Sequence, residues 1–353
     1  MKNVKNKIVW EHNTILQKIV YKKFVNPEKR LYLCNRYPEN NLFALRRLIP
    51  IEDLKRSPVK VVAFFYLQKF SKLHKKRCDM DNNTATLIRQ LAARYETAEF
   101  LAADPSSFMH QVTGDTNRET TAFVASALSY GARKQFFPKI QRIIDWAGGD
   151  VDLWVRSGRF VDDIPDDDGC YYRLYTNRTM RAFLVALQRL LVDYGSLRGF
   201  AEAVLAAESK NRGARSVERD AESMEQEADG CRDAFVVIGG LCRFFADNGS
   251  VGVVPKNTTS ACKRVCMFLR WMVRDASPVD LGLWADIIDR RTLVMPMDTH
   301  VVSEAFRLGL LSSKGASMTS ARRLTARMSD IFPDDPLKGD FALFGLGVDE
   351  QAR

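Results

Sequence analysis

"SACKRVCMFLRWMVR", residues 260–274, carries the periodicity from which the fold is read. At about 100° per residue, Ala261, Val265, Phe268, Leu269 and Met272 share one helical face, which the pattern assigns to a core. Lys263, Arg270 and Arg274 stack on the opposite face, the pattern of a solvated basic stripe. Between Asn248 and Arg274 there are five basic residues and no acidic one. Just ahead of the helix, "NTTSA" (257–261) offers hydroxyl caps and free backbone N–H groups, an end that can hold a phosphate. A solvated amphipathic helix is the plainer reading of the same pattern.

The helical period recurs along the chain from Asp81 onward. It appears in "TLIRQLAARYETAEFLA" (86–102), "TMRAFLVALQRLLVDYGSL" (179–197) and "CRDAFVVIGGLCRFFADNG" (231–249). "NRETTAFVASALSYGARKQFFPKIQRIIDWAGG" (117–149) reads as a long helix with a glycine near its middle, then a second helix broken at or before Pro138. "IPDDDG" (164–169) reads as an acidic loop. Period-2 alternation is almost absent, and the strand candidates "LVMPM" (293–297) and "VGVV" (251–254) are short. These signs predict an all-α, multi-helix bundle with short loops. Residues 208–229, charged and nearly free of large apolar side chains, read as a charged insertion or a solvated helix face. The final "DPLKGDFALFGLGV" (335–348) reads as a packed helix ending at Gly345 or Gly347.

The 353 residues carry a net charge of +10, but unevenly. Residues 1–80 hold 19 Lys and Arg against 6 Asp and Glu, whereas the remainder holds 34 against 37. Residues 1–80 are therefore set apart as a basic N-terminal extension, with amphipathic runs such as "KVVAFFYLQKFSKLHKKRC". They read either as an appended module or as sequence upstream of a start at Met80, and residues 81–353 as the helical domain. No apolar run of about 18 residues suggests a membrane span. No apolar segment follows the charged N-terminus as a secretory signal would require. The seven cysteines (34, 78, 170, 231, 242, 262, 266) are scattered and read as reduced thiols of a cytoplasmic protein. Cys262 and Cys266 have no second pair at metal-ligand spacing, so no metal or other cofactor is expected.

"MPMDTHVVSEAFRLGL" (295–310) places Pro296 and Asp298 ahead of a helix with Val301, Val302, Ala305 and Leu308 on one side. An aspartate there caps the helix, and the helix dipole keeps it ionised. The segment also resembles the one that supplies the catalytic aspartate in the helix-hairpin-helix (HhH-GPD) base-excision DNA glycosylases. Lyase-type members carry a lysine on the second helix of the hairpin, and Lys263, 35 residues before Asp298, corresponds to it. The separation is similar to that in a divergent archaeal branch specific for 8-oxoguanine. The chain looks closer still to an uncharacterised bacterial family of unknown function within that superfamily. "SACKRVCMFLRWMVR", "VDLGLW", "PMDTHV", "RLGLL" and "DPLKGDFALFGLGV" match it, with weaker matches at "ETTAFVASALSYGARK" and "YYRLY".

The resemblance implies a two-lobed helical fold and a bacterial, nucleoid-associated monomer acting on DNA. Lys263 and Asp298 would be catalytic. Lys256, Ser260, Arg264, Arg270, Arg274 and His300 would contact DNA, and Trp271, Trp284, Asp340 and Phe344 would line a base pocket. Each aromatic residue of that set also fits plain core. The chain departs from the superfamily in three places. The hairpin glycines, usually L-P-G-V-G, are replaced by "GSVGVVPKNTTSACK"; Ser303 and Glu304 stand where an arginine is common; and no cysteine follows Cys266 to form an iron–sulfur loop. Three functions follow: a glycosylase, with lyase activity or limited to base release; a non-catalytic protein of the same fold that recognises damaged or distorted DNA; and a helical interaction module in which Asp298 is only a cap.

Overall fold

A computed structural model describes residues 82–216, 231–250 and 252–351. The basic extension 1–80 and the stretch 217–230 of the expected insertion lie outside the described residues. Within them the chain is an all-α, multi-helix bundle carrying one small β-hairpin. The helices are α1 (Asn82–Tyr95), α2 (Ser107–His110), α3 (Asp115–Leu128), α4 (Arg133–Trp146), α5 (Val151–Arg156) and α6 (Phe160–Asp163). After the antiparallel hairpin β1 (Cys170–Tyr172) and β2 (Tyr175–Thr176) come α7 (Asn177–Tyr194), α8 (Leu197–Ser216), α9 (Ala234–Asp247) and α10 (Lys263–Val273). Helices α11 (Thr299–Arg307), α12 (Met318–Ser329) and α13 (Lys338–Gln351) complete the order.

Local chemistry sets many of these boundaries. Asp150, Thr176, Asp233, Asp298 and Ser317 each stand at an N-cap and accept a hydrogen bond from a backbone N–H of the first turn. Helix α3 is buried over nearly its whole length and packs against α2, α4, α5, α8 and α10. The core about it is aromatic: Phe123 meets Phe268 edge-on with centroids 5.0 Å apart, and Phe183 and Phe245 complete the group. Helix α13 packs against both α1 and α11, so the first and last described helices lie together.

Several boundaries differ from the expected ones. The break between α3 and α4 falls at 129–132, where Gly131 takes φ +85°, and α4 continues through Pro138. The charged segment from 208 begins as the last part of α8, bonded along its face by Arg212–Glu208. "LVMPM" is extended and buried but pairs with no strand; the hairpin forms at 170–176 instead. Helix α13 does not end at its glycines. A Cβ on Gly345 would stand 2.2 Å from the Tyr95 ring and one on Gly347 2.7 Å from the His300 Cβ, so both glycines admit close neighbours. Among the described residues no helix is long and apolar enough to cross a membrane.

Candidate active site

Asp298 serves two groups with its two oxygens. As N-cap of α11, its Oδ1 accepts the His300 N–H at 2.9 Å. Its Oδ2 accepts a hydrogen bond from Lys263 Nζ at 2.6 Å, which joins the first residue of α10 to the cap of α11. The lysine side chain is 31% exposed and the aspartate 18%, so the pair is half-buried yet open to solvent. Burial works to raise the Asp298 carboxyl. The charge and hydrogen bond of Lys263 and the hydrogen bond from His300 outweigh it, holding the group below its ordinary value.

The residue ahead of Lys263 is unusual. Cys262 occupies the N-cap of α10 with φ 47° and ψ 37°, a left-handed conformation without side-chain capping. For a non-glycine residue this costs roughly 1–2 kcal/mol. Its Sγ lies 3.8 Å from Cys242 Sγ of α9. Arg264, the residue after the lysine, is half-buried and donates to the Ala127 carbonyl at 2.8 Å and to the Tyr175 hydroxyl. It also lies over the Tyr130 ring. His300 meets Phe344 edge-on at 5.6 Å, and the Arg133 guanidinium lies over the same Phe344 ring, 5.5 Å from its centroid. Lys256 and Ser260 are exposed on the loop before α10, and Ser260 bridges to Ser317.

The expected solvated stripe on α10 stops after its first turn, because α10 is buried on all sides from Val265 to Val273. Arg270 and Arg274 are only 4% and 1% exposed, so neither can reach a phosphate. Arg270 bonds Asp280 and Asp340; Arg274 bonds Asp280, Asp335 and Glu96 at 2.5–2.7 Å. Two guanidiniums thus face four carboxylates inside the protein. Such charges persist in a protein interior only when paired. Burial pushes the Asp340 carboxyl up to about 6; Asp298 and Asp280 add to the rise and Arg270 opposes it.

The base-pocket assignments of Trp271, Trp284 and Asp340 are corrected on the same ground. Both tryptophans are fully buried. Trp284 packs edge-on against Phe268 and donates its indole N–H to Glu119, while the Leu281 and Gly282 N–H groups bond the Trp271 carbonyl. Asp340 is spent on Arg270. Phe344 reaches the Lys263–Asp298 pair through His300, and Asp340 lies near enough to feel the Asp298 charge. Glu304, one of the two residues that stand where an arginine is common, is buried and accepts from Arg307. Among the described residues no group of three or more His, Cys, Asp or Glu is arranged to hold a metal ion.

The hairpin tip escaped the sequence reading. Its turn holds Arg173 at φ 53° and Leu174, which is 86% exposed, where glycine or asparagine is usual. The Tyr130 hydroxyl accepts the Leu174 N–H at 3.3 Å, and Tyr172 donates to the Tyr130 carbonyl. Through Tyr130 and Tyr175 the hairpin rests on Arg264, beside Lys263. The only available sequence signal was the weak block "YYRLY".

A family model described as "Protein of unknown function (DUF2400)" matches residues 104–349, and the chain belongs to that family. Comparison with curated proteins and with solved structures found no match.

Proposed function

We propose that the protein is a DNA base-excision glycosylase of the HhH-GPD type with lyase activity, acting on a damaged base such as an oxidised purine. The observation that carries this reading is the 2.6 Å contact between Lys263 and Asp298 at the starts of two helices, from positions 35 residues apart. The resemblance of "PMDTHV" and "RLGLL" to the superfamily's aspartate segment supports it.

The chemistry follows from the two side chains. An anionic carboxylate stabilises the oxocarbenium-like sugar formed as the glycosidic bond breaks. A carboxyl held below its usual pKa suits that task. It is a weak acceptor for the lysine proton until bound sugar excludes water and disturbs the pair. Neutral Lys263 would then attack C1′, the bond from C1′ to the base nitrogen would break, and the base would leave with a proton. Loss of the 2′ hydrogen from the resulting imine would expel the 3′-phosphate and nick the strand. The target base must leave the stack. Exposed Leu174 would enter the space it vacates, as apolar wedges do. Lys256, Ser260 and Arg173 would meet the backbone.

The test is borohydride trapping on duplex oligonucleotides bearing single lesions. Wild type should give a covalent adduct on one lesion class. Lys263→Gln should give none, and base release persisting in that variant would indicate a glycosylase without lyase activity. Asp298→Asn should lose base release while keeping its cap, since asparagine caps as well as aspartate. Salt-sensitive binding without base release from any lesion would favour the non-catalytic DNA-binding reading. The altered hairpin loop 249–263 is the feature that supports that second reading.

A further inference from the structure

The thiols of Cys242 and Cys262 touch across the two helices that frame Lys263. Their sulfurs are 3.8 Å apart, and bonding would bring them together by about 1.8 Å. Cys262 is also the strained left-handed residue bonded directly to Lys263. A third thiol, Cys266, lies one turn along α10 and donates to the Ala261 carbonyl at 3.4 Å. The Cys262 sulfur is buried, and it contacts the Asn257 and Ser260 carbonyls of the loop 257–260, whose Asn257, Thr259 and Ser260 are exposed.

We propose that Cys242 and Cys262 form a reversible disulfide when the protein meets hydrogen peroxide, and that this modification draws Lys263 away from Asp298. The Cys262 thiolate attacks the peroxide, forming a sulfenic acid and releasing hydroxide. The Cys242 thiol then attacks that sulfur, the S–S bond forms and water leaves. Overall two thiols and one peroxide give one disulfide and two waters, with two electrons passing from sulfur to oxygen. A dithiol reductant reverses the step by exchange.

The surroundings favour Cys262 as the attacking sulfur. The hydrogen bond with Cys242 lowers the Cys262 thiol, and Ser260 and the charge of Arg264 assist against burial. The same hydrogen bond, with burial, pushes Cys242 up. The left-handed backbone at Cys262 is held there by its surroundings, and drawing its sulfur toward Cys242 acts on that backbone. Because Lys263 is the next residue, that change reaches the contact with Asp298. The disulfide is independent of the proposed glycosylase chemistry; its consequence for Schiff-base formation rests on that chemistry.

The experiment uses the reduced full chain and hydrogen peroxide, followed by alkylation under denaturing conditions and peptide mass analysis. The expected product is a peptide pair joined through Cys242 and Cys262, lighter by two hydrogens and restored by dithiothreitol. In Cys242→Ser, dimedone should label Cys262 and the joined pair should vanish. Acetylation of Lys263 by a water-soluble active ester should rise several-fold in the oxidised protein, and borohydride trapping should fall by a similar factor. Oxidation of exposed Cys170 while Cys242 and Cys262 both alkylate as free thiols would overturn the proposal. So would a disulfide that leaves Lys263 acetylation unchanged. Failure to trap any lesion with reduced protein would count against the glycosylase reading and leave the disulfide result standing.

Discussion

Helix α10 carries two ionic groups that look alike in sequence and differ in the folded protein. Lys263 at its start meets Asp298 at a half-buried site with access to solvent, with one charge on each side. Arg270 and Arg274, two and three turns on, meet four carboxylates in the interior. The first contact, half-buried and partly solvated, can be displaced by a ligand at less cost than the second. The second cannot be opened without leaving buried charge uncompensated. A charge on a helix thus takes its role from what the rest of the chain lays over it. Here the buried network ties α10 to Glu96 just after α1, to Asp335 and Asp340 around the start of α13 and to Asp280, while the half-buried pair at its end keeps contact with solvent.

The sharpest way to break this comparison is to remove one buried guanidinium. Arg274→Met should destabilise the protein by about 3–5 kcal/mol, because Asp280, Asp335 and Glu96 lose their common partner. A denaturant melt that hardly shifts would refute the structural role.

The dependence of stability on pH separates the two groups next. The Asp340 carboxyl is raised in the folded protein to about 6, so the folded state holds its proton more tightly than the unfolded chain. That contribution is complete below the ordinary carboxyl range and is lost as pH rises through about 6. Asp298 is lowered, so its contribution is complete above its ordinary value and is lost as pH falls further. Asp340→Asn should flatten the decline between about pH 4 and 6 in thermal melts. An unchanged slope would remove Asp340 as its source.

Smaller effects on stability belong to the open pair. Lys263→Gln should shift stability by less than Arg274→Met does, because the pair keeps partial contact with water, while abolishing the trapped adduct. Loss of folding in this variant would place Lys263 with the structural cations instead. The smallest change is expected at the hairpin. Leu174→Ala removes a side chain already in water, so melting should stay within about 0.5 kcal/mol of wild type. Nicking of duplex substrate should fall several-fold and nicking of a single-stranded one should not; equal losses on both would dismiss the wedge role.

What could be read from the sequence tracks how local each signal was. The helices follow from period and caps, and "PMD" already marks Asp298 as the start of α11. The contact with Lys263 had no local spacing to announce it and was expected only through the resemblance. The fate of Arg270 and Arg274 was illegible because their partners come from positions 96, 280, 335 and 340. On α10 alone they lie on its polar side, and only α1, α13 and the 280 loop turn that side inward. The hairpin was missed because Arg173 and Leu174 violate turn chemistry. Gly345 and Gly347 suggested a helix end, whereas they answer to Tyr95 and His300 packed against them.

The central claim is that Lys263, alone among the lysines, is the nucleophile at an open charge pair. It is tested most directly by mapping the attachment site after borohydride reduction with a lesion-bearing duplex. The account predicts a single modified peptide carrying the deoxyribose remnant on Lys263 Nζ. A remnant on Lys256 or on another lysine, with Lys263 unmodified, would contradict it.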